Sequence, residues 1–323
     1  MPNAAAIPDR RAHFRAIMAR LDGSGDPQRA LSDGLYRPRP DHVAERIAKS
    51  LEIRPSGTHL VVGTIGSGKT TALLRIKELL TESAPETLTV HFDAGEDPHE
   101  QLLAQFLRNT LLADRIEQGR TILLIDGLDR TSDLSTFQRM VTRGLPNFAA
   151  LDVGLVCVGP PQLQAVPPSF ESDWFERTHL CGAVDITSPD GRAFLIELIA
   201  TRGGDAFTDQ ARAGLVRYSG GIVRDHLLLA RQAVEDAYID GEDVVDTPYV
   251  DAAAKRLASS MLRAVTQEQL DALGALTDPD GLYSGPPLGN GRLILDRLLI
   301  PMPGVPMRLV VHPCVLPYLR RAS

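Results

Sequence analysis

Three things are scarce in this chain of 323 residues. Cysteine occurs only at Cys157, Cys181 and Cys314, with none of the spacings that hold a metal. Two of the three lie in apolar, strand-like runs, so buried thiols in a reducing compartment, the cytoplasm, are expected. No apolar run approaches the roughly 18 residues of a membrane-crossing helix. Residues 1–20 carry arginines but no apolar segment of the secretory kind. Positive charge is the third shortage. With 34 Lys and Arg against 41 Asp and Glu, the net charge is −7, which excludes a surface that binds nucleic acid all over but leaves room for a local basic patch. His91, His99 and His179 are scattered and are expected to be structural or solvated, not metal ligands. The remaining bulk properties, 43% hydrophobic and 23% charged residues, are those of an ordinary globular chain.

What stands out is a short segment, Gly63-Thr64-Ile65-Gly66-Ser67-Gly68-Lys69-Thr70, followed by Thr71. It fits G-x-x-x-x-G-K-[ST]. The β-branched run Thr58–Val62 precedes it and the helix-forming stretch Thr70–Ile76 follows, which is the strand–loop–helix setting of a phosphate-binding loop. Glycines let the backbone curl so that consecutive N–H groups converge on an anion. The next helix offers its positive end to the same anion. Lys69 would reach the β- and γ-phosphates of a nucleotide, and the Thr70 hydroxyl would bind Mg²⁺.

A metal at such a loop needs a carboxylate across the sheet. Thr121-Ile122-Leu123-Leu124-Ile125-Asp126 reads as a strand apolar on both faces that ends in an acid, the Walker B pattern. Asp126 is thus the expected Mg²⁺ residue, holding the ion through water. The plain alternative is a strand ending in a solvated aspartate. Asp129 is the nearest further carboxylate able to polarise water. Its alternatives are a helix cap or an ion pair with Arg130.

Expected strands at Thr58–Val62, Leu88–Phe92, Thr121–Ile125, Val153–Val158 and Leu180–Ile186 alternate with helices at Lys69–Leu80, Glu100–Ala113 and Leu134–Thr142. Such alternation predicts an α/β fold with a parallel sheet covered on both faces, and ligand at the carboxyl ends of the strands. Earlier helices are expected near Ala12–Leu21 and Val43–Leu51. Residues 189–262 read as helical, broken at Gly203-Gly204 and Gly220-Gly221. Beyond them come helices at Thr266–Leu276 and Gly291–Leu299, a turn over Ile300–Gly304 and a strand at Met307–Val311.

With these motifs the chain resembles P-loop ATPases of the AAA+ and STAND branch over roughly residues 35–320. Asp126-Gly127-Leu128-Asp129 is similar to the D-G-x-D form of Walker B in STAND-type signalling ATPases. Tyr218-Ser219-Gly220-Gly221-Ile222-Val223-Arg224-Asp225 resembles the start of a lid helix in AAA+ proteins of the origin-recognition type. The resemblance implies a P-loop NTPase core (48–188) after an N-terminal segment (1–47), then a helical lid (189–262) and a small winged-helix-like domain (263–323). It implies that Arg224 touches the γ-phosphate, unless it pairs with Asp225 or is a solvated charge. Tyr36 would stack on adenine, or else pin the linker. Arg177 would be an arginine finger offered to a neighbouring subunit, with Arg143 as its competitor and an ion pair with Glu176 as the plain reading.

Two departures from the family's pattern matter. Glycine stands at 127, where many relatives carry Glu, and the strand at 153–158 runs into Gly159-Pro160-Pro161 with no polar side chain at its end. Both imply slow hydrolysis. The expected function is an ATP- and Mg²⁺-dependent switch, an ATPase that assembles into homo-oligomers or engages a separately encoded protein partner, with no membrane role. The alternatives are a DNA-associated loader, initiator or transposition regulator, and a scaffold that binds nucleotide without hydrolysis. From Val265 onward five arginines (Arg292, Arg297, Arg308, Arg320, Arg321) meet five acids (Glu268, Asp271, Asp278, Asp280, Asp296), so the C-terminal part does not advertise DNA contacts.

Overall fold

The computed structural model describes residues 9–22, 27–95, 121–130, 134–144, 153–165, 175–286, 291–302 and 307–319. In chain order its elements begin with α1 (Arg10–Leu21), α2 (Pro27–Ser32), α3 (Val43–Ile53), β1 (Thr58–Val62), α4 (Lys69–Ser83), β2 (Leu88–Asp93) and β3 (Thr121–Asp126). There follow α5 (Leu134–Gly144), β4 (Gly154–Gly159), β5 (Arg177–Leu180), α6 (Pro189–Gly203), α7 (Asp209–Ser219), α8 (Val223–Ile239) and α9 (Thr247–Met261). The chain ends with α10 (Gln267–Ala275), β6 (Leu282–Tyr283), α11 (Gly291–Leu295), β7 (Leu299–Met302), β8 (Arg308–Val311) and α12 (Leu316–Leu319). The helix expected at Glu100–Ala113 lies outside the described residues.

Two compact units emerge. The first comprises Asp41–Gly182 and Pro286–Leu295. Its sheet has five strands in the order β2-β3-β4-β1-β5, and every pairing is parallel. The central strands are apolar at each position because both faces are covered. Leu60, Val62, Leu123, Ile125, Leu155 and Cys157 point to one layer, against Phe137, Met140 and Leu163. Their neighbours Val61, Ile122, Leu124, Val156 and Val158 point to the other, against Ile47, Leu51, Leu73 and Ile76 of α3 and α4. Each such side chain contributes about 2 kcal/mol by leaving water. Strand β4 lies between β1 and β3, so the loop after β1 and the acid ending β3 share one edge of the sheet, separated by a single strand.

The second unit comprises Met1–Pro40, Ala183–Gly285 and Asp296–Ser323. Helices α1 and α6–α9 enclose a core that includes Ile17, Leu21, Leu198, Leu215, Leu229, Val234 and Leu257. Several of these helices start at side-chain caps. Ser188 accepts from the Gly191 amide, Thr208 from Ala211, and Thr266 from Gln269 in a reciprocal capping box. A small antiparallel sheet, β6-β8-β7, closes this unit.

Three expected elements differ. The last core strand is Arg177–Leu180, not Leu180–Ile186. The apolar run Cys181–Val184 is buried for another reason: Val184 packs against Phe194, Leu195 and Val216 and its amide bonds Gly221. Helix α11 ends at Leu295 because the chain turns at Arg297, which adopts φ 60°, and the expected turn at Ile300–Met302 is strand β7. Pro301 is tolerated there because β7 is an edge strand.

Candidate functional site

The loop after β1 is shaped by close backbone contacts. A side chain on Gly63 would collide with the Cys181 carbonyl, 1.8 Å from its Cβ, because Cys181 donates its amide to Val62 as β5 ends beside β1. Gly66 and Gly68 take φ of 85° and 100°, the left-handed region that an L side chain resists. Gly68 thereby caps α4, whose first residue is Lys69. Thr64, Ser67 and Lys69 are buried, whereas Ile65, Gly66, Gly68, Thr70 and Thr71 are half-buried.

Lys69 is 5% exposed, so its ammonium needs compensation. It donates to the carbonyls of Gly63 and Thr64, each at 3.0 Å, and its Nζ lies 2.9 Å from Asp129 Oδ2. Asp129 thus joins the loop lysine. Arg130, its partner in the alternative reading, pairs instead with Asp93 at 3.3 Å.

Asp126 ends β3 and is 2% exposed. Burial pushes its carboxyl up, but the His91 and Thr70 side chains beside it and the Gly127 amide outweigh burial and hold it below its ordinary value. The Gly127 amide donates to Oδ1 at 2.8 Å, whereas Oδ2 has no partner at full hydrogen-bond geometry among the described residues, with His91 Nε2 at 3.9 Å. Thr64 Oγ1 is likewise buried without a partner there. A buried hydroxyl at the curled loop and a charged, half-satisfied carboxylate beside Thr70 fit a phosphate and a hard cation. Lys69, Thr70, Asp126 and Asp129 therefore converge at the carboxyl ends of β1 and β3.

Tyr36 is half-buried and Arg224 is exposed in the first turn of α8; both belong to the second unit. The plain partner for Arg224, Asp225, is engaged by Arg297. Arg177 is exposed at the first residue of β5, paired in register with His59, at the opposite end of the sheet from the loop. Glu176, its partner in the plain alternative, bonds Arg54 at 2.7 Å. Arg143 falls in the last turn of α5.

Two residues escaped the motif reading. His91 and Asp93 alternate along β2, and register sets Asp93 opposite Asp126. The only hint in the sequence is that β2, like β3, ends in an acid at the ligand side of the sheet. The end of β4 is crowded by carbon: a side chain on Gly159 would stand 2.8 Å from Leu163 Cδ1 and 3.0 Å from Leu60 Cδ1. No polar group fits there.

No protein-family model matches the sequence, and no curated protein matches it either. Solved structures match in fold. Drosophila ORC bound to DNA aligns with a TM-score of 0.56 at 16% identity, covering 99% of this chain and 95% of that one. The Aeropyrum pernix ORC1 protein in complex with DNA aligns with a TM-score of 0.51 at 14% identity, over 88% of this chain and 93% of that one. The Thermotoga maritima RuvB Holliday junction branch migration motor gives a TM-score of 0.50 at 15% identity, over 88% and 98%. At such identities the likeness speaks for architecture alone: the chain shares with these structures an α/β core on a five-stranded parallel sheet and a helical region.

Proposed function

We propose that this protein binds ATP with Mg²⁺, hydrolyses it slowly, and couples its nucleotide state to engagement with DNA. The carrying observation is the convergence of Lys69, Thr70, Asp126 and Asp129 on one edge of the parallel sheet. The amides of residues 66–70 and the Lys69 ammonium would hold the β- and γ-phosphates. Thr70 and Asp126 would hold Mg²⁺, which neutralises charge on those phosphates when bound. Thr64 Oγ1, buried and unpartnered among the described residues, can donate to the same anion. Asp129 keeps Lys69 in place and is the candidate the sequence offers for polarising water. Slow turnover follows from the glycine at 127 and the carbon-lined end of β4, neither of which offers a polar group to the γ-phosphate.

Further roles complete the proposal. Arg224 would sense the γ-phosphate. A cation in the first turn of a helix opposes the dipole, so an anionic contact gives it a reason to be there. Tyr36 would stack on adenine. Arg177, or Arg143 in its stead, would serve the site of a second copy. The C-terminal strands β6–β8 and their flanking helices would form the winged-helix-like module.

Engagement with DNA is favoured over other outputs because two of the proteins that share the fold were solved on DNA. A second reading, a switch that governs self-assembly or a protein partner, is favoured by the net charge of −7. One experiment separates them. Binding to duplex DNA is titrated with ATP, ADP or no nucleotide at several salt concentrations, alongside size measurements. The first reading expects ATP-dependent affinity that falls steeply with salt, by about one decade or more between 50 and 200 mM. No binding at low salt, with an ATP-dependent change in size, selects the second. Nucleotide binding without phosphate release, alone or with DNA, would leave only a scaffold.

A further inference from the structure

Gly127 takes φ 81°, and a Cβ built on it would stand 2.6 Å from Asp93 Oδ1 and 3.1 Å from the Ala94 amide nitrogen. The space into which a side chain at 127 would project is therefore already filled by a carboxylate from the neighbouring strand. Register explains how. Strands β2 and β3 pair in parallel with Asp93 opposite Asp126, and the Ala94 amide donates to the Asp126 carbonyl at 3.0 Å. The two acids leave the sheet side by side.

Their surroundings divide them. Asp126 is buried and faces Thr70. Asp129 is committed to Lys69 at 2.9 Å. Asp93 is 48% exposed in its side chain, so water reaches it. Its Oδ1 accepts from the Gly95 amide at 2.9 Å, and Arg130 spans both oxygens loosely, at 3.3 and 3.4 Å, while donating to the Gly95 carbonyl at 2.8 Å. These contacts orient the carboxylate and leave Oδ2 with only the longer arginine contact.

We infer that Asp93, rather than Asp129, is the carboxylate that receives the proton of the attacking water, and that Arg130 is its positioning residue. The inference rests on the proposed ATPase reading. The water oxygen forms a bond to the γ-phosphorus as its proton passes to Asp93. The bond from that phosphorus to the β,γ-bridging oxygen breaks, and the electron pair leaves on ADP. The proton on Asp93 is then released to phosphate or solvent. The division of labour is geometric: Asp129 is turned to the buried Lys69, whereas Asp93 is open to water and oriented by the Gly95 amide and the longer Arg130 contacts.

The test uses the full chain and its MgATP turnover, ATP affinity and thermal stability. Asp93→Asn keeps the shape and the acceptor for the Gly95 amide, so it preserves folding. The expected result is a kcat lower by about 100-fold with ATP affinity within about threefold of wild type. Arg130→Gln lowers kcat by a smaller factor, about 3- to 10-fold, also at constant affinity. Asp129→Asn raises the Kd for ATP, because it loosens Lys69. If wild type turns over and Asp93→Asn matches its kcat, or loses only stability, the inference is overturned while the ATPase reading stands. An Asp129→Asn variant that binds ATP normally but does not turn over also overturns it. Wild type without phosphate release overturns both together.

Discussion

Two buried aspartates, one in each unit, show how differently a folded chain treats the same side chain. Asp126 in the first unit is 2% exposed and Asp225 in the second is fully buried. Asp225 is held by protein charge: Arg297 bonds Oδ1, and His312 Nε2 lies 3.4 Å from Oδ2, which like Asp126 Oδ2 has no full hydrogen-bond partner among the described residues. It stands in the first turn of α8, where the helix dipole favours an anion. Among the described residues Asp126 has no comparable counter-ion. Its closest cation-forming neighbour is His91 Nε2 at 3.9 Å, and the nearby Lys69 is engaged with Asp129. A carboxylate buried against an arginine is architecture, tying α8 to the segment before β7. A carboxylate buried with no arginine or lysine against it, beside a loop of curled amides, calls for a ligand. Burial alone does not distinguish the two; the partners do.

The largest effect expected from this contrast is on stability. Removing one member of a buried ion pair strands the other, which costs about 3–5 kcal/mol. Asp225→Ala strands Arg297, and denaturant unfolding is expected to show that loss. An unchanged midpoint would mean that Asp225 is not structural, and the contrast with Asp126 would fail.

The first unit is tested through its ligand instead. Lys69→Ala removes the one ammonium of the loop and is expected to weaken ATP binding about 100-fold, equivalent to about 3 kcal/mol for charge-assisted hydrogen bonds. Its circular dichroism should remain that of wild type, since the backbone of the loop is set by Gly63, Gly66 and Gly68. Retained ATP affinity in this variant would show that nucleotide, if bound at all, is held somewhere else.

Much of the first unit was legible because its signals are local. The loop, the apolar β3 and the acid after it can each be read within a few residues, and parallel order follows from alternation of strands and helices. What could not be read depends on which strands become neighbours. Asp93 and His91 looked unremarkable until β2 paired with β3. The swap of partners, Lys69 with Asp129 and Arg130 with Asp93, is decided across the sheet and leaves no trace in spacing. The second unit was harder at its end. Apolar Cys181–Val184 looked like a strand because it is buried, but periodicity reports burial, not pairing. Strand β7 was hidden by Pro301 and β6 by its length of two residues.

The smallest expected effect lies at the opposite end of the first unit's sheet, and it sharpens the comparison from the basic side. His59 on β1 and His179 on β5 share a 3.1 Å contact between ring nitrogens. Burial, reinforced for His59 by Arg177 and Arg54, brings its pKa down from 6.5 to about 4. Burial, reinforced by His59, Arg46 and Arg177, does the same for His179, again to about 4. Both rings are therefore neutral in the folded protein at pH 5, where an unfolded chain has taken up protons. The sign follows from linkage: stability is full above the unfolded value near 6.5, declines as pH falls, and levels off below about 4. Buried His226, also near 4, adds a contribution of the same sign. After discounting for solvent screening, each ring contributes on the order of 1 kcal/mol between pH 7 and 5. Urea midpoints measured across that range are expected to fall in wild type and to fall less in His179→Gln. An equal slope in the two proteins would mean that His179 takes up its proton in the fold as readily as in the unfolded chain, and that burial does not keep the pair neutral.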